Sequence, residues 1–209
     1  MGRPKKYKHN FPSVTQIVDI IDKPGLRYWY GKYGIKECEA KKRSSQKIGH
    51  DVHKAIERFV KGVPFDEARE GLNNDQLVML SYLTDWCSKN DPKPIKMEEA
   101  LYSHVYKFAG TPDLVCSING RKTPILVDWK TDSAPRDKAE ARERNAKYLW
   151  QMAGYSIAYE ETYGVCVNSG IIVRASKDLR FEEVKFPRLA EGRREFRMLR
   201  EIYRRVKGK

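Results

Sequence analysis

The sequence predicts an α/β fold, a mixed central sheet of about five strands flanked by helices. Three observations predict it. Stretches with an apolar residue every four positions alternate with short β-branched and aromatic runs, in the order helices, three strands, helix, two strands, helix. Asn119-Gly120 falls between two of those runs, which is the strongest short-range signal for a hairpin. The length, 209 residues, suits one domain with a sizeable core and argues against a multidomain assembly.

The first ten residues form a basic tail. No hydrophobic segment follows it, and Lys6 stands where a myristoylation signal needs Ser or Thr, so a solvated tail is expected. Gly2-Arg3-Pro4 resembles the core of an AT-hook, too short a match to argue from. Residues 11–209 read as a single domain with a helical part over 11–92, a core over 93–186 and a basic C-terminal helix over 187–209.

Ser13-Val14-Thr15-Gln16 has the form of a capping box and opens a short helix ending near Asp22. Pro24-Gly25 breaks it. The aromatic and basic run Leu26 to Tyr33 is expected to pack as a second short helix, with stacking on bases as the alternative. Lys36 to Lys47, with five basic and two acidic residues, reads as a solvent-facing connection. From Ser44, Ile48, Val52, Ile56 and Phe59/Val60 predict an amphipathic helix that Gly62 closes. Leu77, Leu80, Leu83 and Trp86/Cys87 predict another from about Asn73 to Asn90, stopped by Asp91-Pro92-Lys93-Pro94. Strands are expected over Met97–Tyr106, Thr111–Ile118 and Thr123–Lys130. A helix then covers most of Ala134–Tyr163, followed by strands over Val165–Ala175 and Leu179–Phe186 and a helix from Pro187 onward.

Forty-one Lys and Arg against twenty-eight Asp and Glu leave a net charge of +13. A polyanionic partner follows, nucleic acid first and an anionic membrane surface second. No apolar run approaches the roughly eighteen residues of a membrane-spanning helix, so a cytoplasmic protein without a membrane partner is expected. Cys38, Cys87, Cys116 and Cys166 lack the close spacing of metal-binding pairs and read as reduced thiols.

The chemistry concentrates in Gly110-Thr111-Pro112-Asp113 and Asp128-Trp129-Lys130-Thr131. Side chains two apart on a strand share a face, so Asp128 and Lys130 project together and Trp129 points the other way. If Asn119-Gly120 is a two-residue turn, Ile118 pairs with Arg121 and Asp113 with Leu126, which places Asp113 on the same face. A four-residue loop keeps that parity and a three-residue loop loses it. Two neighbouring carboxylates repel each other unless a cation joins them. Mg²⁺ or Mn²⁺ suits carboxylate oxygens and shares its remaining positions with phosphate. Lys130 would then orient an attacking water and offset developing charge. The alternative is an ion pair of Lys130 with either Asp and nothing more.

Pro112-Asp113 with Asp128-Trp129-Lys130 resembles the signature of the PD-(D/E)XK nuclease superfamily, with Asp in place of Glu. Its RecB-like branch adds a helical histidine and Gln-x-x-x-Tyr. Gly49-His50-Asp51-Val52-His53 is similar to the first, and Gln151-Met152-Ala153-Gly154-Tyr155 matches the second. These pieces occur in the family's order over roughly half the chain. Pro12-Ser13-Val14-Thr15, Lys23-Pro24-Gly25-Leu26 and Trp29 are similar to the opening of phage-encoded exonucleases of this branch and of the mitochondrial genome maintenance exonuclease.

The resemblance implies a restriction-endonuclease-like core and a metal-dependent DNA nuclease, most readily an exonuclease on single strands or ends, from a bacterium or a phage-infected cell. An endonuclease of restriction or junction-resolving type and a DNA-binding module that does not cut are the other readings. It further implies His53, Asp113, Asp128 and the Trp129 carbonyl as metal ligands, with His50 a competitor to His53. Lys130, Gln151 and Tyr155 would line the site, and Glu98 or Glu99 would join it, with no ground for choosing between them. The iron–sulfur cysteines of some RecB-like nucleases cluster near the C-terminus, where this chain has none, so no cluster is expected.

One basic surface stands apart. Arg193, Arg197, Arg200 and Arg204 fall three or four apart, while Phe196, Leu199 and Tyr203 mark a packed face opposite. Arg197, Arg200 and Arg204 are therefore expected to face outward and follow a phosphate backbone.

Overall fold

The computed structural model describes residues 10–21 and 24–208, so what the sequence predicts for the tail lies outside the described residues. The helices are α1 (Val14–Val18), α2 (Pro24–Tyr33), α3 (Ile35–Val60), α4 (Phe65–Ala68), α5 (Asn74–Asn90), α6 (Lys138–Tyr163) and α7 (Ala190–Lys207). The strands are β1 (Lys93–Met97), β2 (Leu101–Ser103), β3 (Phe108–Gly110), β4 (Leu114–Ser117), β5 (Ile125–Lys130), β6 (Gly170–Ala175) and β7 (Phe181–Phe186). No helix among the described residues is long and apolar enough to cross a membrane.

Five strands form one mixed sheet in the order β1-β4-β5-β6-β7, and β2 and β3 form a separate ribbon. Only the β5 to β6 pairing within the large sheet is parallel, with α6 as the crossover. The period of two along β5 sorts its side chains between two apolar layers. Leu126 joins Val115, Met152, Phe196 and α1 on one side. Val127 and Trp129 join Leu114, Val52, Ile56, Leu80 and Leu83 on the other.

The capping box read at Ser13 forms, and a second one, not read from the sequence, forms at Asn73. Ser13 and Gln16 exchange side-chain to backbone hydrogen bonds at 3.1 and 2.8 Å, as Asn73 and Gln76 do at 3.0 and 2.9 Å. Asn119 and Gly120 have φ of 48° and 71°, the signs a primed hairpin turn requires, and the Arg121 N–H donates to the Ile118 carbonyl at 3.0 Å.

Three expectations change. First, the connection expected over Lys36–Lys47 is helical, and α3 begins at Ile35 rather than Ser44. Cys38 provides the missing anchor: it is fully buried and its thiol reaches the Trp29 carbonyl, while Glu37 and Lys41 pair one turn apart at 2.7 Å. Second, the strand expected over Met97–Tyr106 is divided. Edge strand β1 begins at Lys93, absorbs Pro94 beside a register shift, and ends at Met97, before Glu98, whose φ of 50° turns the chain into the ribbon. Third, the hairpin ladder pairs Leu114 with Val127 and Val115 with Leu126, two residues away from the register expected. Residues between Arg121 and Ile125 loop out after the tight turn. Because the shift is even, parity survives, and the register, continued one residue past Leu114 and Val127, brings Asp113 level with Asp128.

Candidate active site

The site lies where β4 and β5 meet at the sheet end, closed by α3 on one side and α6 on the other. Trp129 packs edge-on against Trp86, with ring centroids 5.5 Å apart, and this burial sends Asp128 and Lys130 to the opposite face. Asp113 accepts the Trp129 backbone N–H at 2.8 Å, and His53 Nδ1 stands 3.5 Å from the same carboxylate oxygen. Lys130 pairs with Asp128, and Gln151 Nε2 donates to Asp128 Oδ1 at 3.1 Å. Gln151 and Tyr155, one turn apart on α6, meet at 3.0 Å.

The two carboxylates are unequal. Burial works to raise the pKa of Asp113, but the His53 imidazole, Lys130 and the Trp129 N–H outweigh it and hold the carboxyl below its usual range. Asp128 moves upward: burial dominates, Asp113 adds repulsion, and the Lys130 ammonium offsets only part. Burial opposes protonation of His53 and Lys130, yet the facing carboxylates raise both, Asp113 first for the imidazole and Asp128 first for the amine.

A divalent cation fits these donors. One ligand atom each from His53, Glu98 and Asp113 lies within 4.8 Å of the others. Asp128 Oδ2 is buried and paired with the Lys130 ammonium, so the second carboxylate is held beside the cluster by a cation of the protein. Carboxylate oxygens with one imidazole suit Mg²⁺ or Mn²⁺ better than soft metals. His53, not His50, reaches the cluster; His50 is exposed along the adjoining cleft. Glu98, not Glu99, reaches it as well, because Glu99 is held by Tyr163 and by Lys96 at 3.1 Å.

The sequence profile of the PD-(D/E)XK nuclease superfamily matches residues 22–207. This chain belongs to that superfamily. Its fold agrees. A candidate exonuclease from Eubacterium rectale is 13% identical with a TM-score of 0.58, covering 99% of this chain and 85% of its own. The protein SSO0001 is 17% identical with a TM-score of 0.51, covering 96% and 78%. No curated protein sequence matches.

A nuclease of this superfamily that follows the family pattern in its motifs still carries features its motifs do not announce. Arg174 is buried on β6 beside Lys130 in the parallel ladder. Its guanidinium donates to Asp132 at 3.0 Å, to the Tyr148 hydroxyl at 2.9 Å and to Glu182, and the Tyr148 ring lies 5.4 Å from it and 5.5 Å from Lys130. A cation inside the run Gly170-Ile171-Ile172-Val173-Arg174-Ala175 was the available signal, since a charge in a buried strand needs partners. Gly49 matters for space: a Cβ there would come within 2.8 Å of Thr131 Oγ1, so glycine lets α3 close on the end of β5.

The C-terminal stripe requires correction. Phe196, Leu199 and Tyr203 are buried as expected, but so is Arg200, which does not face outward. It donates to the carbonyls of Tyr106 at 2.8 Å and Lys107 at 3.0 Å and clamps the ribbon turn to α7. The 3.6-residue period sets it close to Phe196 and Tyr203 on the helix, so it shares their buried side. Arg197 and Arg204 are exposed; Arg197 caps the Arg193 carbonyl at 3.1 Å and Arg204 pairs with Glu201 at 2.8 Å. Cys87 and Cys116 sit in the α3 and α5 layer, where burial pushes both thiols up to about 12.

Proposed function

We propose that residues 11–209 form a single Mg²⁺- or Mn²⁺-dependent deoxyribonuclease domain that works as an exonuclease on single strands or DNA ends, in the cytoplasm of a bacterium or phage-infected cell. The observation that carries the chemistry is the placement of Asp113 opposite Asp128, with His53 and Glu98 on the first and Lys130 on the second. The name of the Eubacterium rectale neighbour supports the choice of exonuclease.

His53, Glu98, Asp113, Asp128 and the Trp129 carbonyl would hold the cation. Bound there, a divalent ion polarises a phosphoryl oxygen and lowers the pKa of an attacking water. Lys130, paired with Asp128 in the structure, would orient the attacking water and offset charge on the phosphoryl group. Gln151 keeps Asp128 aimed, and Tyr155 braces Gln151. Of the α7 stripe, Arg197 and Arg204 are exposed, but the Arg193 carbonyl and Glu201 already hold them, so they contribute little to DNA binding.

End-labelled linear and closed circular DNA, each single- and double-stranded, with Mg²⁺, Mn²⁺ or EDTA, tests the reading. Loss of label from linear substrates only, and only with metal, is expected. Cutting of circles would establish an endonuclease, and binding without cutting in either metal would leave a DNA-binding module.

A further inference from the structure

We infer that the outer face of α3 is the track along which the nuclease holds the phosphate backbone of its DNA strand. Lys36, Arg43, Lys47 and Lys54 are separated by seven, four and seven residues. At about 100° per residue they lie within roughly 20° of one line down the helix. All four are exposed, and none makes an ion pair among the described residues. The acidic groups a turn away have other partners: Glu39, whose charge Arg43 also feels, accepts from Tyr30 and pairs with Lys42 at 3.7 Å, Glu57 pairs with Lys61 at 2.6 Å, and Asp51 accepts from Gln76 at 3.2 Å.

A basic helix face alone is ordinarily a solvated one. Here it borders the active site. A cleft of about 500 Å³ is lined by Gln46, Gly49, His50 and Lys54 of α3 on one wall and reaches His53 and Glu98 of the candidate metal cluster. Lys54 belongs to the stripe and to the cleft at once. Polar and small residues line the wall next to the stripe, where a sugar-phosphate chain can lie close to the helix. Lys36 to Lys54 spans about 27 Å at about 1.5 Å per residue. That is room for roughly eight phosphates at the duplex rise of about 3.4 Å.

The inference rests on the nuclease reading, and its test needs no cleavage. Anisotropy of a labelled single strand long enough to span the stripe is measured in EDTA over a range of salt, for wild type and for a variant with Arg43→Gln, Lys47→Gln and Lys54→Gln together. Glutamine has nearly the helix propensity of lysine, so unchanged far-UV ellipticity certifies the fold. The slope of log affinity against log salt should fall by about 2, at about 0.7 for each phosphate that the variant no longer neutralises. A fall smaller than about 0.7 overturns the track. Arg197→Gln with Arg204→Gln controls for net charge, and an equal fall per charge removed there also overturns it. If the slope falls as expected while wild type cuts no DNA with either metal, the track stands and the nuclease reading fails. If wild type cuts and the slope does not move, the reverse holds.

Discussion

Helices α3 and α7 are both basic and amphipathic, yet they handle their cations in opposite ways. On α3, Lys36, Arg43, Lys47 and Lys54 make no ion pair among the described residues, and their line enters the candidate catalytic cleft at Lys54. On α7, Arg193 pairs with Glu160, Arg200 is buried on two backbone carbonyls, and Arg204 pairs with Glu201. A stripe of arginines in the sequence therefore does not by itself mark a nucleic-acid surface. What decides is whether acceptors in the protein already take up the charge, because a cation that has lost water to one partner gains less from a phosphate.

The comparison breaks first if chemistry is not on the α3 side. Asp113→Ala and Asp128→Asn should each abolish metal-dependent cleavage, and robust cutting by either would remove the reason to read α3 as the substrate wall. The two should differ in stability. Asp113 has a lowered pKa in the fold, so its charge contributes stability above its unfolded value that is lost as pH falls; removing it should lower Tm at neutral pH. Asp128 has a raised pKa because burial and Asp113 oppose its charge even as that charge holds Lys130, so Asp128→Asn should lower Tm in EDTA less than Asp113→Ala does.

Next in size is Lys130→Ala, expected to lower kcat by roughly a hundredfold, the scale for loss of a positioned charge stabiliser. A loss confined to affinity in single-turnover kinetics would make Lys130 a phosphate anchor, part of the α3 surface rather than of the chemistry. Arg200→Met should cost about 2 kcal/mol of stability, from charged hydrogen bonds to Tyr106 and Lys107, with DNA affinity preserved. Urea unfolding and anisotropy measured together check this, and weakened binding by a fully folded variant would return Arg200 to the DNA surface. The smallest effect belongs to Arg197→Gln with Arg204→Gln, which should flatten the salt slope by less than about 0.7. A larger change would erase the contrast between the two helices.

The candidate site was legible in the sequence to an unusual depth because its parts are local. Asp128 and Lys130 share a face by strand parity, Gln151 and Tyr155 by helical spacing, and the Asn119-Gly120 turn needs only two residues willing to adopt positive φ. Even the register error left the answer intact, since a shift of two residues preserves the face and moves Asp113 from opposite Leu126 to opposite Asp128. His53 over His50 came only by family analogy, and the structure assigns the reason: one turn of helix separates the histidine that meets Asp113 from one that stays in the cleft.

What the amino-acid order determined by itself was the long helices, the central strands, the helix cap at Ser13, the hairpin turn and the shared face of Asp113, Asp128 and Lys130, all set within a few residues or by a repeating period. Tertiary structure alone decided which glutamate joins the candidate metal cluster, because Glu98 and Glu99 are adjacent and only the positive φ at Glu98 and the hold of Tyr163 on Glu99 separate them. It also decided which cations are engaged within the protein. Arg200 and Arg174 find their acceptors 93 and 42 residues away in the chain, at Lys107 and Asp132, whereas Arg43 and Lys47 find none among the described residues. Burial and pairing of charge are properties of three-dimensional neighbours, and no local pattern carries them.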